Sequence, residues 1–148
     1  MKKVFLLGLM LILSGCTSVS KDEQILKDTI VKYNTLLAEG YQKLNMTPLL
    51  HVATEEQSQI VYHHMSALGE ADIKMIAKLE KIDFLDIKNT QDKAEVKTKE
   101  EWDYVHISIN SGKTISENSV IYKLKYTLIK KADKWHVAEI KIESEEKI

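Results

Sequence analysis

The chain has 148 residues, enough for one domain and too few for two comfortable ones. Apolar residues make up 44% and charged residues 29%, a composition that folds around a core, and 21 basic against 22 acidic residues argue against a dedicated nucleic-acid binder. Every basic residue is lysine, which removes bidentate guanidinium recognition of phosphate or carboxylate, and a single cysteine excludes an intrachain disulfide and a cysteine-cluster metal site.

The first segment reads as an address. Lys2 and Lys3 form a positive start, Val4 to Leu13 an apolar run, and small residues come after it. That is the layout of a secretory signal peptide, and the run is shorter than the ~20 apolar residues a membrane-spanning helix needs. Leu13-Ser14-Gly15-Cys16 resembles the lipobox of bacterial lipoproteins. The resemblance implies a signal peptide over 1–15, cleavage before Cys16, a diacylglycerol on its sulfur and an acylated new amine. The only thiol is then consumed, and several acyl chains on one residue make a durable anchor in membrane lipid. Thr17 is next to the cysteine, where the family's sorting rule in diderm bacteria uses aspartate for inner-membrane retention. The expected place is therefore the cell membrane or the outer membrane, on the extracytoplasmic side. Residues 16–20 form a tether of ~14 Å at most, at ~3.5 Å per residue, which holds the folded part against the membrane.

Ser20 and Glu23 make a capping box. Leu26, Ile30, Tyr33, Leu37, Tyr41 and Leu44 then recur at helical spacing as one apolar stripe, and Asn45 is a stop. Thr47-Pro48 predicts a short second helical turn through Val52, with threonine as its cap. Thr54 and Gln57 make another capping box, opening a helix that carries Ile60, Val61, His64, Met65 and Leu68. Gly69 is a candidate stop or bend, and Ile73, Ile76 and Leu79 continue the helical rhythm over 71–79.

The period changes near residue 80. Ile82, Phe84 and Ile87 mark a first strand, and Asn89 to Asp92 a turn. From Ala94 to His106 the even positions form one face, while the odd positions to Asp103 are all charged. The apolar positions shift to 107 and 109, which predicts a bulge near Val105. Asn110 to Asn118 reads as the one polar loop containing glycine. Val120, Tyr122, Leu124, Tyr126 and Leu128 alternate cleanly, Lys131 to Lys134 is a turn, and Trp135 to Ile142 a last strand. The charged tail from Glu143 to Lys147 is expected to fray.

Helices followed by four strands with short links predict an α+β domain over 21–143, with N-terminal helices packed on a four-stranded antiparallel sheet. Ala94-Glu95-Val96, Glu101-Trp102, Tyr122 to Leu128 and Asp133 to Val137 resemble the strand block of the NTF2-like superfamily. Within it they are similar to the small domain of plastid-division and related bacterial proteins called the IMS domain, over roughly residues 54–143. The resemblance implies a curved sheet wrapped round a long helix as an NTF2-like, cystatin-like cone with an open mouth. Some members are enzymes and many are pockets or protein-binding modules, so fold does not settle function.

The residues that carry chemistry are few. His63 and His64 are adjacent, ~100° apart on a helix, and do not grip one metal; no metal site or cofactor is predicted. Neither a G-x-S-x-G elbow nor a phosphate-binding loop is present. Glu100 falls on the inward face with Val96, Trp102 and Tyr104. Tyr122 and Tyr126 lie on the matching face of the next strand, within hydrogen-bonding reach of it. A carboxylate there is either a desolvated base or ligand-orienting group, or a residue turned outward by a bulge. Tyr33, Tyr41, Trp102, Tyr104, Tyr122, Tyr126 and Trp135 serve as core or as pocket lining. Lys93, Lys97, Lys99, Lys123 and Lys125 occupy the solvent face.

These features predict a membrane-anchored, non-catalytic binding lipoprotein with an envelope protein as partner. The expected ligand-binding residues are Glu100, Trp102, Tyr104, Tyr122 and Tyr126, with the mouth built from Trp102, Tyr104 and the 110–118 loop. The alternative is a small SnoaL-type enzyme with Glu100 or a histidine as acid/base.

Overall fold

Ser20 opens the first helix as its sequence predicts: its hydroxyl accepts the Glu23 N–H at 3.2 Å, and α1 runs Lys21–Lys43. The computed structural model describes residues 20–148, so the signal peptide, the lipobox and Cys16 lie outside the described residues. Leu26, Ile30, Tyr33 and Tyr41 turn inward along the stripe, and Asn34 is buried beside them. Leu44 does not complete that stripe. It adopts a left-handed conformation (φ 55°), returns its N–H to the Gly40 carbonyl and is 42% exposed. Gly40 lets the chain pass close to Met46, since a Cβ there would displace the Met46 thioether and press on the Asn45 carbonyl.

A single 3-10 turn spans Thr47–His51. Met46 precedes it, so Thr47 stands inside the turn rather than capping it; Asn45 Oδ1 takes the Thr47 N–H instead, at 3.1 Å. Thr54 then caps α2, Glu55–Glu70, by accepting the Gln57 N–H at 3.2 Å. Its buried face is Gln57, Ser58, Val61 and Met65. Ile60, expected on that face, lies off it and is 63% exposed.

The expected helix over 71–79 is a strand. Asp72, at φ 62°, turns the chain, and β1 runs Ile73–Asn89. Over 73–79 the register with β2 is unbroken, so Met75, Ala77 and Leu79 share the inward face and Ile76 falls on the other; the three-residue spacing of Ile73, Ile76 and Leu79 does not mark a single face. Glu80 and Leu85 are extra residues, bulged out where the pairing shifts between Leu79 and Lys81 and between Phe84 and Asp86. Each bulge stretches the inward spacing from two residues to three, from Leu79 to Ile82 and from Phe84 to Ile87, and keeps these side chains on the helix-facing side. Forming fifteen antiparallel pairs with β2 outweighs the local preference.

Strand β2 covers Lys93–Ser108, β3 Thr114–Lys131 and β4 Lys134–Lys147, and the sheet is antiparallel throughout in the order β1-β2-β3-β4. The even positions of β2 face the helices, and Ala94, Val96, Thr98, Glu100 and Trp102 are all buried. The bulge predicted near Val105 lies against β3, between His106 and Ile107, with Ile115 as the extra residue. The polar segment 110–118 is not all loop: the turn ends by Lys113, and Thr114 to Asn118 pair with β2. It reads as loop because it extends the sheet with polar and exposed residues. Positive φ at Ala132 and Asp133 makes the β3–β4 turn the tight kind that suits a two-residue hairpin. The charged tail does not fray; Glu145, Glu146 and Lys147 pair with Tyr122, Ile121 and Val120.

Both helices pack on one face of the sheet, with α1 against β1 and β4. One apolar cluster joins Leu26, Ile30, Leu49, Val96, Leu128 and Val137, all 0% exposed. Each such side chain contributes ~1.5–3 kcal/mol on burial. The helical layer is stitched to the edge of β4, where Thr54 N–H donates to the Val137 carbonyl at 2.9 Å and Val137 N–H to Val52 at 2.8 Å. The opposite face of the sheet carries the alternating lysines as expected, none of Lys93, Lys97, Lys99, Lys123 or Lys125 being buried.

Candidate functional site

A groove lies between α1 and the sheet, formed by two cavities that share Leu37, Trp102, Tyr104 and Tyr122. The outer cavity, about 330 Å³, adds Tyr41, His64, Met75, Ala77 and His106. The inner one, about 200 Å³, runs over Asn34, Glu100, Leu124 and Tyr126 towards Ile140 and Ile142 of β4. The helical stripe of α1 supplies Leu37 and Tyr41, and strict alternation on β2 and β3 supplies the aromatics.

The aromatics are arranged against one another. Trp102 and Tyr104 are successive inward residues of β2 and stack, with ring centroids 6.0 Å apart and planes 9° apart. Tyr122, on β3, meets Tyr104 edge to face at 6.5 Å. On the helical side the Tyr41 hydroxyl lies 2.5 Å from His64 Nδ1, and at the far end His106 Nδ1 lies 2.9 Å from the Ser116 hydroxyl.

Glu100 sits beneath this lining and is 0% exposed. Its Oε1 accepts from the Thr98 hydroxyl at 2.9 Å and the Tyr126 hydroxyl at 2.7 Å. Its Oε2 accepts from the Trp102 indole N–H at 2.8 Å and the Asn34 amide at 3.3 Å. Four neutral donors therefore replace the water that the carboxylate gave up, as a buried charge requires. Among the described residues no lysine or histidine pairs with it. Burial pushes the Tyr126 phenol well above its ordinary value, and the Glu100 charge adds to the shift. Burial likewise raises Tyr33 to about 12, although its hydroxyl accepts from the Gln57 amide at 3.0 Å. Tyr104 and Tyr41 shift upward too, first through burial. All these phenols are neutral near neutral pH.

The five expected ligand-binding residues thus separate into two layers. Trp102, Tyr104 and Tyr122 line both cavities, Trp102 buried at 4% exposure and the two tyrosines half-buried, whereas Glu100 and Tyr126 form the floor of the inner one, at 0% and 1%. Glu100 faces inward, so the outward-turned alternative does not occur. Tyr126 reaches the carboxylate as expected, and the hydroxyl of Thr98 and the amide of Asn34 complete the shell where Tyr122 was the other candidate. Asn34 and Thr98 are the residues that sequence reasoning missed. Both are polar at inward positions of an apolar pattern, which is the signal that marks them. No residue of 110–118 lines either cavity, so that segment does not build the mouth. His64 does line it but remains largely exposed. Of the other aromatics, Tyr33 is core, and Trp135 packs at the opposite end with the Lys130 ammonium 5.4 Å from its ring. Among the described residues, no three His, Cys, Asp or Glu side chains converge as metal ligands would, and no helix is long and apolar enough to cross a membrane.

No family model matches the chain, and no curated protein matches it. Solved structures do. The intermembrane space region of the chloroplast protein ARC6 superposes with a TM-score of 0.73 at 11% identity, over 84% of this chain and 98% of that one. The Kfla4162 protein from Kribbella flavida superposes with a TM-score of 0.56 at 12% identity, over 84% of this chain and 95% of that one. A protein with a cystatin-like fold from Nostoc punctiforme gives 0.46 at 11% identity, over 84% and 92%. At these identities the likeness is one of fold: the chain shares the architecture of the ARC6 intermembrane region, the fold expected from its strand block.

Proposed function

We propose that the chain is a lipid-anchored, non-catalytic binding module that holds an envelope partner protein in the groove over Trp102, Tyr104 and Tyr122. The observation that carries this reading is the sealing of Glu100. The acid in the core pattern presents no surface, and both its oxygens are already occupied by four protein donors. A general base must reach the proton it takes, directly or through one water, and this carboxylate organises the floor instead. Above it the groove offers aromatic area, which binds at low entropic cost. Tethering through Cys16 raises the effective concentration of neighbours at the same membrane, so a modest interface suffices.

The test is capture from native membranes after mild crosslinking. The wild-type chain and Lys123→Ala, changed on the opposite face, should retain the same specific partner, while a folded Trp102→Ala chain loses it. Retention by Trp102→Ala would sink the groove reading. Independently, Cys16→Ser should leave an unprocessed, unlipidated chain; unchanged processing and membrane attachment would overturn the anchor.

A further inference from the structure

We propose that the groove is a cation site that takes an alkylammonium group, and that the partner supplies it as a lysine side chain. This rests on the binding reading above and names the chemistry of what is bound.

Three independent features point to a positive ligand. The first is the wall. Trp102 stacks on Tyr104, Tyr122 stands edge-on to Tyr104, and Tyr41 faces them from α1. Aromatic faces attract ammonium groups through their quadrupole, most strongly where water is thinned. The second is the charge below. The Glu100 carboxylate is buried with neutral donors only, and such a charge attracts a cation brought near it. Its field reaches the wall: after burial and the neighbouring Tyr122, the Glu100 charge also helps hold the Tyr104 phenol protonated. Glu145, paired opposite Tyr122 on β4, acts in the same direction. The third is a gap in the protein's own charges. The sequence holds 21 lysines, yet among the described residues no lysine lines either cavity. The residues that oppose a cation are His64 and His106 on the outer cavity, and only when protonated.

Size agrees with this assignment. About 330 Å³ in the outer cavity and about 200 Å³ in the inner one suit a butylammonium chain or a trimethylammonium head, not a folded domain. The same chemistry exists in a quaternary ammonium such as choline, so the experiment separates the two sources.

The full chain carrying Trp135→Phe, purified in a maltoside detergent, leaves Trp102 as its one indole and reporter. It is titrated with butylammonium, with choline, and with 3,3-dimethylbutan-1-ol, the uncharged carbon isostere of choline. Saturable changes in Trp102 emission are expected with the cations, at least tenfold tighter than with the alcohol. Butylammonium binding more tightly than choline supports a lysine as the natural ligand; the reverse order overturns that source. Tyr104→Leu should weaken the cations at least tenfold and the alcohol less than twofold, and Glu100→Gln should weaken the cations severalfold. Should Tyr104→Leu fail to give a native circular dichroism spectrum, Tyr122→Leu replaces it with the same expectation. Equal affinity for choline and its isostere, no saturable response to either cation, or cation binding untouched by loss of the tyrosine would each overturn the inference. Partner capture persisting in the absence of any cation binding would leave the binding function standing and end this assignment alone.

Discussion

Replacing Glu100 perturbs the site at its most constrained point, and two substitutions there should behave oppositely. Glu100→Leu removes an acceptor of four donors in a place with no exposed surface. Tyr126 keeps a partner, since its hydroxyl also lies 3.2 Å from Asn34 Oδ1. The Thr98 hydroxyl, the Trp102 indole N–H and the Asn34 amide do not. Each buried donor left unpaired costs roughly 1–3 kcal/mol, about 3–9 kcal/mol for the three, and relief from burying the charge offsets part of this, against total stabilities of about 5–15 kcal/mol. Glu100→Gln is different because the two oxygens face different chemistry. Oε2 receives two N–H donors that cannot reverse, while Oε1 receives two hydroxyls that can. A glutamine with its oxygen towards Trp102 and Asn34 and its nitrogen towards Thr98 and Tyr126 keeps all four neighbours hydrogen-bonded, Tyr126 turning its O–H to Asn34 Oδ1 and only the Thr98 O–H losing its acceptor. It also removes the cost of burying a charge, so the change should stay within about 1.5 kcal/mol. Urea unfolding followed by tryptophan fluorescence measures both. A Glu100→Leu chain within about 1 kcal/mol of wild type, on the order of one net hydrogen bond, would refute the role of Glu100 as a hub.

The facing of β3 predicts that Leu124→Ala costs ~2–5 kcal/mol while its exposed neighbour Lys123→Ala changes stability by under ~0.5 kcal/mol; equal effects in thermal melts would mean the facing is wrong. The raised phenols predict alkaline sensitivity. Tyr33 stays protonated to about 12 when folded but ionises from 10.0 when unfolded, so its contribution is complete below pH 10 and is lost as pH climbs to 12. At ~1.36 kcal/mol per unit this amounts to roughly 2–3 kcal/mol, and urea midpoints that do not fall across that interval would contradict it. Among the described residues the buried Ser58 hydroxyl has no hydrogen-bond partner, so Ser58→Ala should leave the chain as stable or up to about 1 kcal/mol more stable, by the same urea assay; a loss above about 1 kcal/mol would show a partner for that oxygen.

Much of the fold is legible in the residues because local and tertiary preferences agree. The Ser20 and Thr54 caps, the α1 stripe from Leu26 to Tyr41 and the alternation from Ala94 to Trp102 and from Val120 to Leu128 all appear where periodicity places them. The misreadings have one source: pairing partners are invisible locally. The start of β1 hides behind the three-residue spacing of Ile73, Ile76 and Leu79, which the unbroken pairing with β2 divides between two faces, and Thr114 to Asn118 and the acidic tail become strand only because β2 and β3 run long enough to pair with them. The site divides in the same way. Inward alternation on two strands finds Glu100, Trp102, Tyr104, Tyr122 and Tyr126. It cannot find Asn34, which reaches Glu100 from 66 positions away, or Met75 and Ala77, which enter the groove only once residues 73–79 are strand.

The central claim is that this protein acts by holding a partner in the aromatic groove. A photo-crosslinking amino acid placed at Tyr122, on the groove wall, and at Lys123, on the opposite face one residue away, tests it in intact cells. Groove binding predicts a discrete crosslinked adduct from position 122 and none from position 123. An adduct from position 123 with none from 122 would place the working surface on the other side of the sheet and contradict it.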